Sequence, residues 1–458
     1  MKQPVSLIFD IGKTAKKVIL FDSEFHVVEE QVEHFAESKD DDGFPSENLA
    51  LVSEWVRAMV EQCVSHPKYD ITHVNFSAYG ASLVHLDEND GPLPSFYNYL
   101  KSFPEKHKEE FFNSYDGGGN ILASTASPWL GMLNSGLQLF WMKRSKPEVF
   151  RKIKTSLHLP QYFTQLLSGK KFCEITSVGC HTMLWDFTKK NYHEWVDKEQ
   201  LTNLFPSMQL SDHSFPLVYG QTRMTLGVGV HDSSAALMPY LATMHDPFLL
   251  LSTGTWNITF NPFDHSPLTQ AELKRDCLCY ITYTGNPVKA SRIFLGHEHE
   301  VQVNAIRDFF KEPNDFHTKM KFNEQVYGRL AITHNTSKVI YPMSMEGSGP
   351  LPEKQVDQTN WQSFDTAEEA YHQLVRHLVK WQMMSVNLVN PQQKIKNLIV
   401  VGGFTKNPIF LEILKCEARQ MNILLSDHPR AAALGAAWLV CGKEAYSGKK
   451  DLLNVVAL

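Results

Sequence analysis

Two stretches far apart in the chain repeat one order: an apolar strand, a short turn of small or hydroxyl-bearing residues, and a second strand. The first is Val5-Ser6-Leu7-Ile8-Phe9, then Asp10-Ile11-Gly12-Lys13-Thr14, then Lys17-Val18-Ile19-Leu20-Phe21. The second is Phe248-Leu249-Leu250-Leu251, then Ser252-Thr253-Gly254-Thr255, then Trp256-Asn257-Ile258-Thr259-Phe260. Glycine and threonine at such tips expose backbone N–H groups and hydroxyls, which suits phosphate. Two halves that open alike predict duplicated domains facing one cleft. At 458 residues the chain is too long for a single core. The expected domains are residues 1–244 and 245–458, with Met244-His245-Asp246-Pro247 as the hinge.

Just before that hinge stands Gly227-Val228-Gly229-Val230-His231-Asp232, followed by Ser233-Ser234-Ala235-Ala236. Asp232 comes directly after a Gly-rich turn and heads a run expected to be helical to about residue 242. A carboxylate there is favoured in its ionised form by the helix dipole. Many such residues only cap a helix. A carboxylate and a phosphate-type turn this close in sequence point instead to phosphoryl transfer to a hydroxyl. Gly12-Lys13-Thr14 is not a Walker A motif, since Leu7 occupies the place of its first glycine and β-branched residues, not a helix, follow. What remains is a hairpin whose Gly12 and Thr14 suit phosphates, and whose Asp10 suits Mg²⁺ held through water.

Elsewhere the pattern predicts a helix over residues 49–64 and a strand over 71–77 that ends in Ala78-Tyr79-Gly80-Ala81. A strand over 83–86 and the segment Phe96-Tyr97-Asn98-Tyr99 follow. Strand ends in α/β sheets are where ligands bind, which makes Ala78, Tyr79, Gly80, Tyr97 and Asn98 substrate candidates. Tyr115-Asp116-Gly117-Gly118-Gly119 has the composition of a mobile rim loop. Helices are expected over 133–144, over 147–169 with a break at Pro160, and over 365–389. A buried strand, 398–401, runs into Gly402-Gly403-Phe404-Thr405-Lys406-Asn407-Pro408, where a glycine pair lets backbone approach adenosine and its α-phosphate. Residues 431–438 form a small-residue helix able to pack tightly on a sheet.

The rest of the composition excludes more than it proposes. A net charge of −6 offers no basic surface for nucleic acid. Seven cysteines, odd in number and scattered, fit reduced thiols of a cytoplasmic protein. No apolar run approaches membrane-spanning length, and no secretory leader is legible. Gly296-His297-Glu298-His299-Glu300 lacks the second histidine of a zincin, because Val301 stands at that position, and is expected at the surface or a substrate rim. Cys277-Leu278-Cys279 has too short a spacing for a zinc knuckle and places both thiols on one face of a strand.

Assembled in order, these stretches resemble the FGGY family of carbohydrate kinases over nearly the whole length. Asp10-Ile11-Gly12-Lys13-Thr14 with Lys17 is similar to the family's first phosphate hairpin, and Ser252-Thr253-Gly254-Thr255 to its second. Gly229-Val230-His231-Asp232 is similar to its catalytic-base turn, and Val401-Gly402-Gly403 with Asn407 to its nucleotide loop. The resemblance implies an α/β, two-domain sugar-kinase/actin/heat-shock-70 fold of ribonuclease H-like type, with the active site in the interdomain cleft. It implies ATP and Mg²⁺ as cofactors and a small-molecule sugar as partner, with homodimer formation left open. Asp232 would be the base and His231 a sugar contact. Gly12, Lys13, Thr14, Lys17, Thr253, Gly254, Thr255, Gly402, Gly403 and Asn407 would hold the nucleotide. Lys13 and Phe404 depart from the family pattern, the first placing a charge where phosphates approach and the second replacing a glycine. The His-Asp pair and Ser-Thr-Gly-Thr-Trp resemble the rhamnulokinase and fuculokinase branch. A 6-deoxy ketohexose would need an apolar contact for its methyl end, expected from Tyr79, Tyr97 or Trp129.

Overall fold

The structure, a computed structural model, describes residues 2–94, 96–116, 120–332, 338–345, 347–351 and 357–458. The glycines of the expected rim loop, Gly117, Gly118 and Gly119, lie outside these described residues.

Each hairpin seeds a sheet of seven strands. In the first sheet, strand Gln3–Ile11 pairs antiparallel with Lys16–Phe21 and parallel with Tyr69–Ala78. In the second, Phe248–Thr253 pairs antiparallel with Asn257–Asn261 and parallel with Asn397–Gly402. The two halves therefore repeat each other: the hairpin's first strand lies between an antiparallel partner and a parallel one. Its residues are almost wholly buried in both copies, as strands covered on both faces must be.

Two helices fill the space between the sheets. Asp232–Thr243 packs along Ala431–Cys441, and one continuous apolar cluster joins Ile8, Ile19 and Phe21 of the first sheet to Leu250, Phe260 and Ile399 of the second through Trp438. Small residues let the helices approach closely, because a Cβ on Gly435 would meet Ala235 O at 2.0 Å. The same helix turns Ala436 O toward the first sheet, where Asn75 Nδ2 donates to it at 2.8 Å. The long helix Ala367–Val389 covers the other face of the second sheet, its start capped by Thr366, which accepts from Glu369 N–H.

Three parallel strand ends meet at one edge of the first sheet. Asp10 is level with Ser77 and Ser77 with Val230, while Ile11 is level with Ala78 and Ala78 with His231. Asp232 begins its helix one residue past this line. The register alone brings Asp10 and Asp232 to the same end of the sheet, the carboxyl end where α/β folds bind ligands.

The expected helix over residues 147–169 is three elements instead. A turn of helix, Pro147–Phe150, is followed by strand Thr155–His158, then by helix Leu159–Ser168. The strand pairs antiparallel with Leu83–Leu86 and is buried along its length. Pro160 is not a break but part of a first turn, where its missing N–H costs nothing. Cys277–Ile281 is a buried strand, and all seven cysteines are free thiols. Among the described residues no helix is long and apolar enough to cross a membrane.

Candidate active site

A cavity of about 570 Å³ opens between the two halves, with Asp10, Asp232 and Ser233 on one side and Gly402, Lys406 and Asp427 on the other. Asp10 faces Lys17 across the first hairpin, and Lys17 Nζ lies 3.9 Å from Asp10 Oδ2. Burial pushes Asp10 up to about 6; Lys17 opposes that rise and the charge of Asp232 adds to it. Asp232 is also pushed up to about 6 by burial, although its side chain keeps 35% exposure to the cleft. Its Oδ1 accepts from Ser233 N–H at 2.6 Å and from the Ser233 hydroxyl at 3.2 Å, which holds the carboxylate at the helix start. Both carboxyls are ionised at neutral pH but bind a proton more readily than free aspartate. Three carboxylates around one cavity give oxygen donors and excess negative charge, a set that fits a hard divalent cation.

Beside Asp232 stands His231, buried, with Nε2 3.3 Å from Asp232 Oδ1. Burial lowers its pKa to about 4, so the imidazole is neutral. Its ring lies 5.8 Å from that of Tyr280 and nearly parallel to it. Gly80 makes room for the ring, since a Cβ there would come within 2.3 Å of His231 Cδ2. Ala78, Gly80 and His231 are thus gathered at the strand ends.

The other substrate candidates are placed differently. Tyr97 is fully buried with its ring edge-on to Trp141 at 4.7 Å, in the core and not on the cleft wall. Asn98 braces a turn: Nδ2 donates to Pro45 O at 2.9 Å and Oδ1 accepts from Leu100 N–H at 3.0 Å. Tyr79 is buried and its hydroxyl donates to Glu47 Oε2, which also receives buried Lys16 Nζ. Trp129 packs on Phe103 and Phe112 with Lys108 over its ring. The apolar methyl contact expected from Tyr97 is therefore corrected, because that ring is spent on packing, whereas Trp129 is only half-buried. Strand ends draw attention in a sequence, but which way each side chain turns depends on the neighbouring layer.

At the first hairpin, Gly12 N–H donates to Ala15 O at 3.0 Å and closes the turn. Lys13 Nζ bonds Glu37 Oε1 at 2.8 Å, which turns its charge onto a carboxylate. Thr14 O receives the ring nitrogen of His34 at 3.1 Å. At the second hairpin the Thr253 hydroxyl donates to Val401 O at 2.6 Å and accepts from Phe404 N–H at 3.0 Å. That side chain is a buried staple between hairpin and nucleotide loop, not an open phosphate donor. Gly254 has no positive φ, and its N–H donates to Asn257 Oδ1 at 3.2 Å. The left-handed glycine is Gly402, at φ +92°, where a Cβ would come within 2.1 Å of Thr253 O.

A second cavity, about 450 Å³, adjoins this joint and shares Gly403 and Lys406 with the first. Gly254, Thr255, Tyr371, Phe404 and Asn407 line it, so the departure Phe404 forms an apolar wall. Asn407 Oδ1 caps helix Pro408–Glu417, while Nδ2 donates to Tyr371 OH at 2.8 Å. Flat apolar walls beside a glycine pair fit a purine, and Lys406 between the cavities fits its phosphates. Sequence reasoning passed over Lys406 although it lies inside the glycine motif. It also put Gly296-His297-Glu298-His299-Glu300 at a surface or substrate rim. Instead Gly296 and His299 line the second cavity, and Glu298 is fully buried, accepting from Met343 and Ser344 N–H groups.

Residues 5–230 match the FGGY family of carbohydrate kinases, N-terminal domain, and residues 245–449 match the carbohydrate kinase FGGY C-terminal domain. The chain belongs to the FGGY family of carbohydrate kinases. It is 21% identical over 474 residues to the L-fuculokinase of Haemophilus influenzae, covering 94% of this chain and 93% of that protein. It is 23% identical over 265 residues to the rhamnulokinase of Halalkalibacterium halodurans, a match that spans about half of each protein, 55% of this chain and 55% of that one. A carbohydrate kinase from Novosphingobium aromaticivorans has the same two-domain fold, with TM-score 0.80 at 21% identity over 95% of this chain and 91% of that one.

Proposed function

We propose that the protein is a cytoplasmic, ATP- and Mg²⁺-dependent sugar kinase, with domains 1–244 and 245–458, that phosphorylates a ketose hydroxyl. The observation that carries this reading is the convergence of Asp10 and Asp232 in a cavity that shares Gly403 and Lys406 with a second, apolar one. Asp232 orients the sugar hydroxyl and accepts its proton; a carboxylate pushed up to about 6 is a better proton acceptor than free aspartate and still ionised at neutral pH. Lys17 and Lys406 stand where negative charge gathers on the transferring group. Gly254, Gly403, Phe404 and Asn407 enclose the nucleotide base. Asp10 would hold Mg²⁺, which would offset negative charge on the phosphates. Because phosphoryl transfer passes through a loose transition state, alignment of these groups counts for more than strong deprotonation.

The substrate we favour is L-rhamnulose, with L-fuculose second, phosphorylated on carbon 1. Neutral His231 beside the base can donate to or accept from a neighbouring hydroxyl, and Gly80 leaves its ring in place. The names of the two curated relatives support the same branch. A coupled ADP-release assay over ketoses, polyols and aldonates tests both levels. L-rhamnulose should lead by kcat/KM, and D-xylulose and glycerol should be poor. A first rank for D-xylulose or gluconate would overturn the branch and leave the kinase; no ADP release with any sugar would overturn the kinase.

A further inference from the structure

Beneath the cleft floor, Cys180, His181 and His231 bring one ligand atom each to within 4.8 Å of one another, and all three residues are buried. Two segments far apart in sequence meet there. Glu174 caps the turn that leads to Cys180, accepting from Thr176 N–H at 2.9 Å and Ser177 N–H at 3.0 Å. The Thr176 hydroxyl in turn accepts from His231 N–H at 3.1 Å, so the cysteine's segment is pinned to the histidine's strand. Neither Cys180 nor His181 has a part in the phosphoryl transfer described above.

We propose that Cys180, His181 and His231 form a binding site for a soft divalent cation of the Zn²⁺ class, next to Asp232. The two imidazoles present free donor atoms, and the third donor, the Cys180 thiol, donates to Ser177 O at 3.3 Å until a metal replaces its proton. His181 Nδ1 lies 3.1 Å from Leu133 O, which fixes its proton there and leaves the lone pair on Nε2. A backbone carbonyl behind a ligating imidazole is the usual support in metal sites. His231 Nδ1 is buried and, among the described residues, has no hydrogen-bond partner. The Cys180 thiol is pushed up by burial, and a metal bound to it displaces the proton.

Geometry and softness select the ion. Ligand atoms of tetrahedral zinc stand about 3.3–3.6 Å apart, so donors within 4.8 Å need side-chain shifts of about 1 Å. One thiolate and two imidazoles suit Zn²⁺ and disfavour Mg²⁺, which takes hard oxygen donors. Three protein ligands leave a fourth position for water. The site shares His231 with the sugar contact proposed above, but its optical readout needs no turnover and so does not rest on the kinase reading.

Co²⁺ titrated into the metal-free full-length protein reads the site optically, whatever the enzyme's activity. One equivalent should bind with tetrahedral bands and a thiolate-to-cobalt charge-transfer band, and Zn²⁺ should displace it. Cys180→Ser should lose the charge-transfer band, Cys277→Ser should keep it, and His181→Gln should weaken binding at least ~10-fold. Retention of the band in Cys180→Ser, or its absence from the wild type, would overturn the proposal. If Cys180→Ser does not fold, X-ray absorption of the unmodified protein with one equivalent of Zn²⁺ decides. One sulfur and two nitrogens are expected; a shell of oxygens or of several sulfurs means that the three side chains are packed core only.

Discussion

At the tip of the first hairpin the turn closes on itself through Gly12 and Ala15, Lys13 turns onto Glu37, and Asp10 is left at the strand end facing the cleft. At the tip of the second, Thr253 reaches across to Val401 and Phe404, Thr255 O accepts from Gly296 N–H, and Gly402 folds against Thr253 O. The two hairpins share strand order, pairing and depth of burial. They differ in whom their tip residues bond. The first bonds within its own domain edge and presents a charge. The second bonds to neighbouring loops and shapes a cavity. Duplicated topology therefore does not mean duplicated chemistry.

The largest expected effect lies on the charged side. Asp232→Asn should reduce turnover by roughly 10²–10⁴-fold while leaving the fold and sugar binding intact. It should also stabilise the protein near neutral pH. The folded-state pKa of Asp232, about 6, lies above its ordinary 3.8. Protonation is thus easier in the folded protein, and the associated stability is present below about pH 4 and lost as pH rises through about 6. The difference in melting temperature between wild type and Asp232→Asn should open as pH rises from about 4 to about 6, hold steady above that, and vanish below about pH 4. Near-wild-type turnover would remove the base, and a lower melting temperature for the variant at neutral pH would show that favourable contacts hold the carboxylate.

Thr253→Val tests the joint. It keeps the shape but removes both bonds, and leaving the buried Phe404 N–H unpaired should cost about 1–3 kcal/mol. Nucleotide affinity should fall with the loosened Phe404 wall, sugar affinity should hold, and Thr253→Ser should restore both melting temperature and nucleotide binding. Unchanged melting and unchanged calorimetric nucleotide affinity in the valine variant would make the second tip no different from the first.

Lys13→Ala should do least. Its ion pair with Glu37 joins partly exposed side chains, 22% and 46%, and such pairs contribute at most about 1 kcal/mol. Nucleotide affinity should stay within about twofold of wild type, well under the ~1.4 kcal/mol of a tenfold change. A loss of about tenfold or more would mean that Lys13 leaves Glu37 for phosphate, and would give the first hairpin the anion-holding role its sequence implies.

Local pattern was enough wherever the cause is local. The helix Leu49–Val64 stands where apolar periodicity put it, behind an Asn48 cap, and Asp232 does begin a helix after a glycine turn. Both hairpins and the strand into Gly402 follow from unbroken apolar runs ending in small residues. Periodicity, caps and turn residues act over a few positions, so a sequence carries them openly.

Only the tertiary structure decided what depends on register and on crossings between distant segments. Thr155–His158 is a strand because Leu83–Leu86 offers it an edge, and nothing in its own residues announces that partner. Tyr97 turns inward against Trp141, and Thr253 turns toward Val401, because a neighbouring layer stands there. Asp10 and Asp232 share a cavity because three strands end level, and Cys180 meets His231 because Thr176 pins their segments together. Residue type restricts which chemistry a side chain can do. Its direction and its company are set by packing against parts of the chain that are far away in sequence.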